Sequence, residues 1–324
     1  MTRRASIVVP AFNAADVISV TLRSIVEQIG PDDEVLVVDD GSTDATFRVV
    51  ESFEDDRVDA IRIDPSGGPA RPRNEGIRRA RGRYVFLCDA DDHFLPGKIE
   101  ATVAAFEAHP DAGMVFTNFR CVDERGRVVV ERFLDSYEVM RGLDPTDTAP
   151  VRLDPPDACR CLARQNFVGT SGVALRRETV DTIGRFDESL PNGEDRDLWF
   201  RITRRLPIVY LPTPYHDYVL SPDGISHRRI HATAPSRIAV LERQLADPVD
   251  TRFEADIRAL IGSNHQGMAY ESFLDGEMAR ARREIARAWT YRPNRHLVRM
   301  YMLSLLGARG VRLLRGARDR LTRR

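Results

Sequence analysis

The sequence predicts an α/β fold, in which a mostly parallel sheet carries helices on both faces and a helical C-terminal region follows. Three observations indicate this. Across the first 117 residues, short apolar runs alternate with segments whose apolar residues recur at helical spacing. The runs are continuously apolar, which is typical of parallel strands buried on both faces. From about Thr233 onward, the pattern is wholly helical.

The strands and helices of the first half follow one another regularly. Ala5 opens a short β-branched run that predicts the first strand, and Gly30 and Pro31 end the helix after it. The same reasoning predicts strands over residues 5–9, 34–38, 58–63, 84–88 and 114–117, and helices over residues 17–29, 44–53, 74–80 and 96–108.

The second half is less regular. Residues 122–130 predict a hairpin that turns near Gly126, and the proline- and aspartate-rich stretch 135–157 predicts a long loop or lid. Ordered structure then resumes, with strands over residues 172–175 and 208–210 and helices over residues 177–183 and 195–205. We expect one large domain, residues 1–230, and a helical region, residues 231–324.

Charge is distributed unevenly along the 324 residues. The formal net charge is −1, but residues 295–324 contain nine arginines and one acidic residue, Asp319, which gives +8. The remaining residues carry 39 basic and 48 acidic side chains, or −9. An acidic body with a basic tail indicates a surface or partner that the tail meets, and no nucleic-acid partner is expected.

Cysteine and hydropathy patterns favour the cytoplasm. The four cysteines show no metal-ligand spacing, which is typical of reduced thiols in a cytosolic protein. No stretch reaches the roughly 18 apolar residues of a membrane span. With 42% hydrophobic residues, the chain can bury a substantial core. We therefore expect a cytoplasmic protein that is either soluble or peripheral on the inner face of the cell membrane.

Aspartates cluster after two of the predicted strands. They are Asp39, Asp40, Asp44, Asp89, Asp91 and Asp92. The carboxyl ends of parallel strands meet at one edge of a sheet, where ligands bind. A turn and helix cap would explain Asp40 and Asp44 alone, but not the whole set. Crowded carboxylates repel each other, so we expect a cation among them, and oxygen ligands favour Mg²⁺ or Mn²⁺.

Four motifs of the chain occur in a characteristic order and spacing. They are Val8-Val9-Pro10-Ala11-Phe12-Asn13, Val37-Val38-Asp39-Asp40-Gly41-Ser42-Thr43-Asp44, Arg73-Asn74-Glu75-Gly76 and Phe86-Leu87-Cys88-Asp89-Ala90-Asp91-Asp92. Together they resemble glycosyltransferase family 2, over residues 5–226. The resemblance implies the GT-A fold, with residues 1–117 as the nucleotide-sugar-binding half and residues 118–230 as the acceptor-binding half.

The resemblance implies a role for each residue that contacts the donor, a nucleotide-diphosphate sugar. Asp39 would accept a hydrogen bond from the donor's base, and Pro10 and Phe12 would line the base pocket. Arg73 would lie near the diphosphate, and Asp89 near the ribose.

The resemblance also implies a divalent ion. Asp89 and Asp91 match the family's Asp-x-Asp motif, with Asp91 as the expected ligand of Mn²⁺ or Mg²⁺. Family members often carry a further histidine that helps to hold the metal or phosphate, but Tyr218 stands at that position here. His216 or His227 could substitute for it, or each could be a structural histidine.

Two carboxylates of the second half are candidates for the acid–base step. Glu194 and Asp195 precede a predicted helix and look like the family's Glu-Asp motif, which makes them the candidate catalytic residues. A carboxylate is needed because an acceptor hydroxyl must lose its proton as it attacks the anomeric carbon. The diphosphate leaves from the opposite face, so the resemblance implies inversion. The alternative is that both carboxylates only cap the helix.

The resemblance implies that a single sugar is transferred to a saccharide or lipid-linked saccharide in cell-surface glycan synthesis. Processive synthases of similar sequence carry a Gln-x-x-Arg-Trp motif, which neither Trp199 nor Trp289 provides. Two alternatives remain. A nucleotidyltransferase would show a glycine-rich basic loop after the first strand, where this chain has Phe12 and Asn13. A binding module without turnover would keep only the fold.

The C-terminal residues 295–324 have a basic amphipathic pattern. Residues 297–306 are densely apolar, and Val311, Leu314 and Leu321 continue the apolar stripe among arginines. Such a helix can lie on anionic lipid, so we expect reversible binding to the cytoplasmic leaflet. The alternative is a solvated basic terminus.

Overall fold

A computed structural model of the chain describes residues 3–143, 148–220 and 229–307. The chain divides into two compact units, Met1–Gly224 (unit 1) and Ile225–Arg324 (unit 2). Within these described ranges, unit 1 contains the strands and the helices around them, and unit 2 contains helices alone.

Unit 1 is built on one mixed sheet. Its strands are β1 (Arg3–Ala11), β2 (Asp33–Asp39), β3 (Val58–Arg62), β4 (Gly82–Leu87), β5 (His93–Phe94), β6 (Met114–Val122), β7 (Val128–Val130), β8 (Val151–Leu153), β9 (Val173–Arg176) and β10 (Ile208–Val219). Their order is β3-β2-β1-β4-β9-β6-β10-β5, while β7 pairs with β6 and β8 pairs with β10.

The helices of unit 1 lie between these strands in the chain. Those in the described ranges are α1 (Ile18–Val26), α2 (Thr46–Glu51), α3 (Ala70–Arg79), α4 (Lys98–Ala108), α5 (Glu138–Arg141), α6 (Pro155–Arg164), α7 (Arg177–Ile183) and α8 (Glu194–Thr203). Strands and helices thus alternate through the first half of the chain, as its periodicity predicts.

Helices cover both faces of the sheet, because successive side chains of a strand point to opposite faces. On one face, Ile7 of β1 belongs to a buried core with Leu22 of α1 and Phe106 of α4. On the other face, Val8 lies so close to Gly76 of α3 that a Cβ added there would stand 2.3 Å from Val8 Cγ1. The predicted α/β fold with helices on both faces is confirmed.

The strand order brings the predicted site loops to one edge of the sheet. β1 lies between β2 and β4 and is parallel to both, with Ala11 opposite Asp39 and Val8 opposite Leu87. The carboxyl ends of these three strands therefore open on the same edge. β9 runs antiparallel to β4 and to β6, so β6 is parallel to β4 and its carboxyl end also reaches this edge.

The prediction of a single loop over residues 135–157 is wrong in part. The described residues of this stretch include α5, β8 and the start of α6. Pro155 and Pro156 mark the first turn of α6, where the missing N–H of proline has no intrahelical partner to lose. β8 is only three residues long and pairs with β10, so the sequence offers too few residues for an alternating pattern.

The described part of unit 2 consists of α9 (Ile230–Leu245), α10 (Thr251–Leu274), α11 (Met278–Tyr291) and α12 (Arg295–Leu305). Asn294 caps α12, since its Oδ1 accepts a hydrogen bond from the Leu297 N–H at 3.1 Å. A small apolar core joins the last three helices: Ala269, Ile285, Ala288, Leu297 and Met300. No helix in these described ranges combines the length and the apolar character needed to cross a bilayer.

The contact between α3 and β1 predicts an effect on stability. Gly76→Ala should lower the free energy of unfolding by about 1–3 kcal/mol, because the new methyl group would overlap Val8. Urea denaturation measures this. Gly68→Ala is the matched control, since the nearest heavy atom to its added Cβ would be 3.8 Å away. An equal loss of stability in both variants would contradict the argument.

Candidate active site

A buried arginine stands at the centre of the candidate site. Arg73 of α3 donates from Nη2 to Asp89 Oδ1 at 2.6 Å and from Nη1 to Glu194 Oε1 at 2.7 Å. Its side chain is only 5% exposed, and its guanidinium carbon lies 5.5 Å from the centre of the Phe186 ring. Burial lowers the pKa of Arg73, but the charges of Asp89 and Glu194 more than offset this and raise it. One cation thus joins the end of β4 to the start of α8.

The end of β2 offers an acceptor without a hydrogen-bond donor. Asp39 is buried, and its Oδ1 accepts from the Ser42 N–H at 3.3 Å. Its Oδ2 is 3.4 Å from Arg62 Nε but accepts no hydrogen bond from the described residues. The ion pair with the exposed Arg62 leaves the hydrogen-bonding capacity of this oxygen unfilled, so the atom suits a donor on a ligand. Beside it at the end of β1, Phe12 is exposed and Pro10 is half-buried.

Two of the six clustered aspartates serve the loops instead of the crevice. Both oxygens of Asp40 accept from Ser66, from its N–H at 2.9 Å and its hydroxyl at 2.8 Å. Asp44 accepts from the N–H groups of Ala15 and Thr46, at 3.2 Å and 2.9 Å. We expected up to six aspartates at one edge of the sheet, but fewer are available. The oxygens of Asp40 and Asp44 already accept hydrogen bonds from residues of the loops.

The three aspartates after β4 have three different environments. Asp89 pairs with Arg73, as described above. Asp92 is buried and accepts from the hydroxyl of Ser171 and from the Val219 N–H, and that hydroxyl in turn accepts from the Asp89 N–H at 3.0 Å. Asp91 is exposed, and no described side chain donates to its carboxylate. Partial desolvation, followed by the charge of Asp89, raises the pKa of Asp91.

A divalent cation fits this arrangement if it arrives with a phosphate ligand. Within the described ranges, no group of three or more His, Cys, Asp or Glu side chains is placed to hold an ion on its own. Asp91, however, presents an unpaired carboxylate beside the charge of Asp89. Mg²⁺ is commonly bound by one or two carboxylates together with substrate phosphates and water. The donor set therefore fits Mg²⁺ or Mn²⁺ held by Asp91 and a diphosphate.

The start of α8 separates its two carboxylates. Glu194 is buried, and its carboxylate is occupied by Arg73; burial raises the pKa of Glu194, and the charge of Arg73 opposes that shift. Asp195 is half-buried, and its Oδ1 accepts from the Arg196 N–H at 2.6 Å. In the described part of the chain no cation pairs with Asp195. Of the two residues predicted to be catalytic, Asp195 alone has a carboxylate free of an ion pair.

The histidine candidates differ in what the structure places around them. His216 is buried, stacks on Phe119 with the ring centres 5.0 Å apart, and has Nδ1 3.4 Å from the Thr117 hydroxyl. Burial lowers the pKa of His216 well below its usual value, which favours the neutral form of the ring. Tyr218 is half-buried beside the same Phe119. His227 lies outside the described residues.

Sequence reasoning gave no role to two buried residues, one that supports the Asp89–Asp92 segment and one that feels the charge of Asp92. Ser171 bridges Asp89 and Asp92, but it follows no motif and comes from a short 3₁₀ turn before β9. Lys98, the only lysine of the chain, is fully buried, with Nζ 4.7 Å from the centre of the Phe94 ring. Burial lowers the pKa of Lys98 to about 7. The only sequence signal for a special role of Lys98 is that it is the single lysine in an arginine-rich chain.

Comparisons with known proteins agree with this fold. A solved structure of S. aureus TarS, residues 1–349 in complex with UDP-GlcNAc, aligns with a TM-score of 0.67 at 19% identity, over 94% of this chain and 87% of that one. The succinoglycan biosynthesis protein ExoO of Rhizobium meliloti is 35% identical over 188 residues, which are 58% of this chain and 52% of ExoO.

A second curated relative and a family model extend these comparisons. The putative teichuronic acid biosynthesis glycosyltransferase TuaG of Bacillus subtilis is 31% identical over 135 residues, or 41% of this chain and 53% of TuaG. This chain therefore spans about half the length of the curated relatives it matches. Residues 6–163 match the model of Glycosyl transferase family 2, and they include the loops after β1, β2 and β4. Residues 6–163 thus carry the domain of glycosyltransferase family 2, and unit 1 has the GT-A fold.

Proposed function

We propose that the chain is a metal-dependent, inverting glycosyltransferase that transfers one sugar from a nucleotide-diphosphate sugar to a saccharide or lipid-linked saccharide. One observation carries the proposal. Arg73 joins Asp89 of the Asp-x-Asp segment to Glu194, the neighbour of Asp195, so donor groups and a candidate base share one crevice. The relatives named for succinoglycan and teichuronic acid synthesis support a role in cell-surface glycan synthesis. The reaction would take place in the cytoplasm or at the inner face of the cell membrane.

The loops after β1 and β2 hold the nucleotide in this proposal. Asp39 Oδ2, which lacks a hydrogen-bond donor, accepts an N–H of the base, and the exposed ring of Phe12 covers the base together with Pro10. The TarS structure with UDP-GlcNAc, a protein of the same fold, supports a nucleotide-diphosphate sugar as donor. Asp89 lies next to the nucleotide, with its carboxylate fixed by Arg73.

The Asp91 carboxylate holds the divalent ion, Mn²⁺ or Mg²⁺, in this proposal. When bound, the ion supplies the positive charge that stabilises the departing diphosphate. Asp92 does not bind it directly, because its carboxylate is buried and accepts from Ser171 and Val219. Those two hydrogen bonds tie the segment to the sheet and fix the direction in which Asp91 points.

Asp195 is the general base of the proposed reaction. Its carboxylate accepts the proton of the acceptor hydroxyl as that oxygen forms a bond to the anomeric carbon. The bond from this carbon to the donor phosphate breaks on the opposite side, so the configuration inverts. Glu194 does not take this proton, because Arg73 occupies its carboxylate; it fixes the start of α8 and thereby the position of Asp195.

The unpaired carboxylate of Asp91 predicts metal-dependent turnover. Asp91→Asn should abolish most transfer while leaving the fold intact, because the amide binds a divalent ion weakly. Sugar transfer and circular dichroism measure the two effects. Asp56→Asn, at an exposed carboxylate after α2, is the control and should keep full activity. If the wild type kept its full rate of transfer in excess chelator, the proposed metal dependence would be wrong.

The unpaired carboxylate of Asp195 predicts a loss in the chemical step alone. Asp195→Asn should lower the rate of transfer by about 10² or more and leave donor binding nearly unchanged. Single-turnover kinetics and donor titration separate these quantities. Glu178→Gln changes an exposed carboxylate in the first turn of α7 and should have no effect. If NMR showed that the product retains the donor's anomeric configuration, a single displacement through Asp195 would be wrong.

The two ion pairs of Arg73 predict a large effect on stability. Arg73→Lys should lower the free energy of unfolding by about 3 kcal/mol, because one ammonium cannot match both carboxylates and leaves a buried charge uncompensated. Urea denaturation measures it. Arg71→Lys is the matched control on the same helix, where the side chain is exposed. Equal stability of the two variants would contradict the bridging role.

A further inference from the structure

α12 carries two apolar faces, and the core of unit 2 uses only one of them. Leu297, Met300 and Ser304 are buried on the inner face. A second set of apolar residues is exposed at the spacing i, i+3, i+4, i+7 and i+8: Val298, Tyr301, Met302, Leu305 and Leu306. This spacing aligns them along one side of a helix, and we call them the outer stripe. A contiguous exposed apolar surface of this kind marks a site of contact.

Charge around the outer stripe selects an anionic partner. Arg295 and Arg299 are exposed on α12 itself, and helical spacing puts them at the edge of the stripe. Residues 295–324 carry +8, whereas the rest of the chain carries −9. An anionic surface would attract this segment by about 1 kcal/mol for each arginine close to it and would repel the remainder. The attraction is therefore directed to the part of the chain that presents the stripe.

Charge and length also argue against two other occupants. A second copy of the chain would bring Arg295 and Arg299 of two chains together at the stripe, and like charges repel. α12 is also too short to cross a bilayer. Its 11 residues extend only about 16 Å along the helix axis, roughly half of the hydrocarbon thickness. A helix with an apolar stripe and flanking arginines fits the plane of the interface instead.

We propose that the outer stripe docks unit 2 onto an anionic lipid surface. The helix lies in the interfacial plane, with Met302 and Leu305 among the acyl chains and Arg295 and Arg299 at the headgroups. The surface would hold the proposed lipid-linked acceptor, but the outer stripe and its two arginines belong to unit 2. The docking proposal therefore stands or falls separately from transfer in unit 1.

Co-sedimentation of the full chain with vesicles tests the proposal. Vesicles of phosphatidylcholine with phosphatidylglycerol should bind the chain at low salt, vesicles of phosphatidylcholine alone should not, and added salt should weaken binding. The double variant Met302→Ser, Leu305→Ser should bind anionic vesicles about tenfold less or weaker still. The control is Val128→Ser, Val129→Ser on β7 of unit 1, where Val129 is as exposed as Met302, at 59%. It should bind like the wild type.

Donor binding in solution separates docking from the function of unit 1. A thermal-shift titration with UDP and Mn²⁺ should give the same result for the wild type and both double variants. Equal vesicle binding by the wild type and the stripe variant would overturn the proposal, as would a wild type that stays in the supernatant with anionic vesicles. Light scattering would also overturn the proposal if the wild type were an oligomer and the stripe variant a monomer. A second copy of the chain would then occupy the stripe.

Discussion

The site depends on the two ion pairs of one buried cation, Arg73. Its partners Asp89 and Glu194 lie at the end of β4 and the start of α8, and 121 positions separate Arg73 from Glu194. Moving the charges of Arg73 and Glu194 out of water is expensive, so these pairs contribute little net stability by themselves. Their effect is geometric, because neither carboxylate can move without leaving a buried charge uncompensated. The segment that carries Asp91 and the helix that carries Asp195 are thereby fixed relative to one another.

Local environment gives chemically identical carboxylates different tasks. Both oxygens of Asp40 accept hydrogen bonds from Ser66. Asp92 is buried and accepts from Ser171 and from the backbone of β10, so each of the two aspartates stabilises a loop. Asp91, one residue before Asp92, keeps an exposed carboxylate that no described side chain contacts. The same separation holds for Glu194 and Asp195 on α8. A carboxylate that no side chain of the described residues pairs with is available to a metal ion or a proton.

The sequence predicted the features that depend on local pattern. Continuous apolar runs located β1, β2 and β4, and the aspartates after β2 and β4 marked the loops at the sheet edge, because both signals lie within a few residues. The individual roles of Asp39 and Asp91 came from the family resemblance. The pairing of Arg73 with Glu194 has no local signal, because the two residues lie 121 positions apart. The short strand β8 failed for a related reason, since its pairing partner β10 is more than fifty positions away and supplies the stability that its own three residues cannot.

Groups that the fold leaves unsatisfied indicate where the chain meets something else. Other buried groups among the described residues also lack a hydrogen-bond partner, for example the Tyr84 hydroxyl, the Trp199 ring N–H and the Lys98 ammonium. Asp39 Oδ2 is the more informative atom, because it lies at the sheet edge where parallel α/β folds bind ligands. The outer stripe of α12 is the apolar counterpart. Unit 2 already has a core that uses the inner face of this helix, so its own packing gives no reason for a second apolar face. Asp39 Oδ2 lacks a hydrogen-bond donor, which a polar ligand would supply. The outer stripe lacks an apolar contact, which a lipid surface would supply.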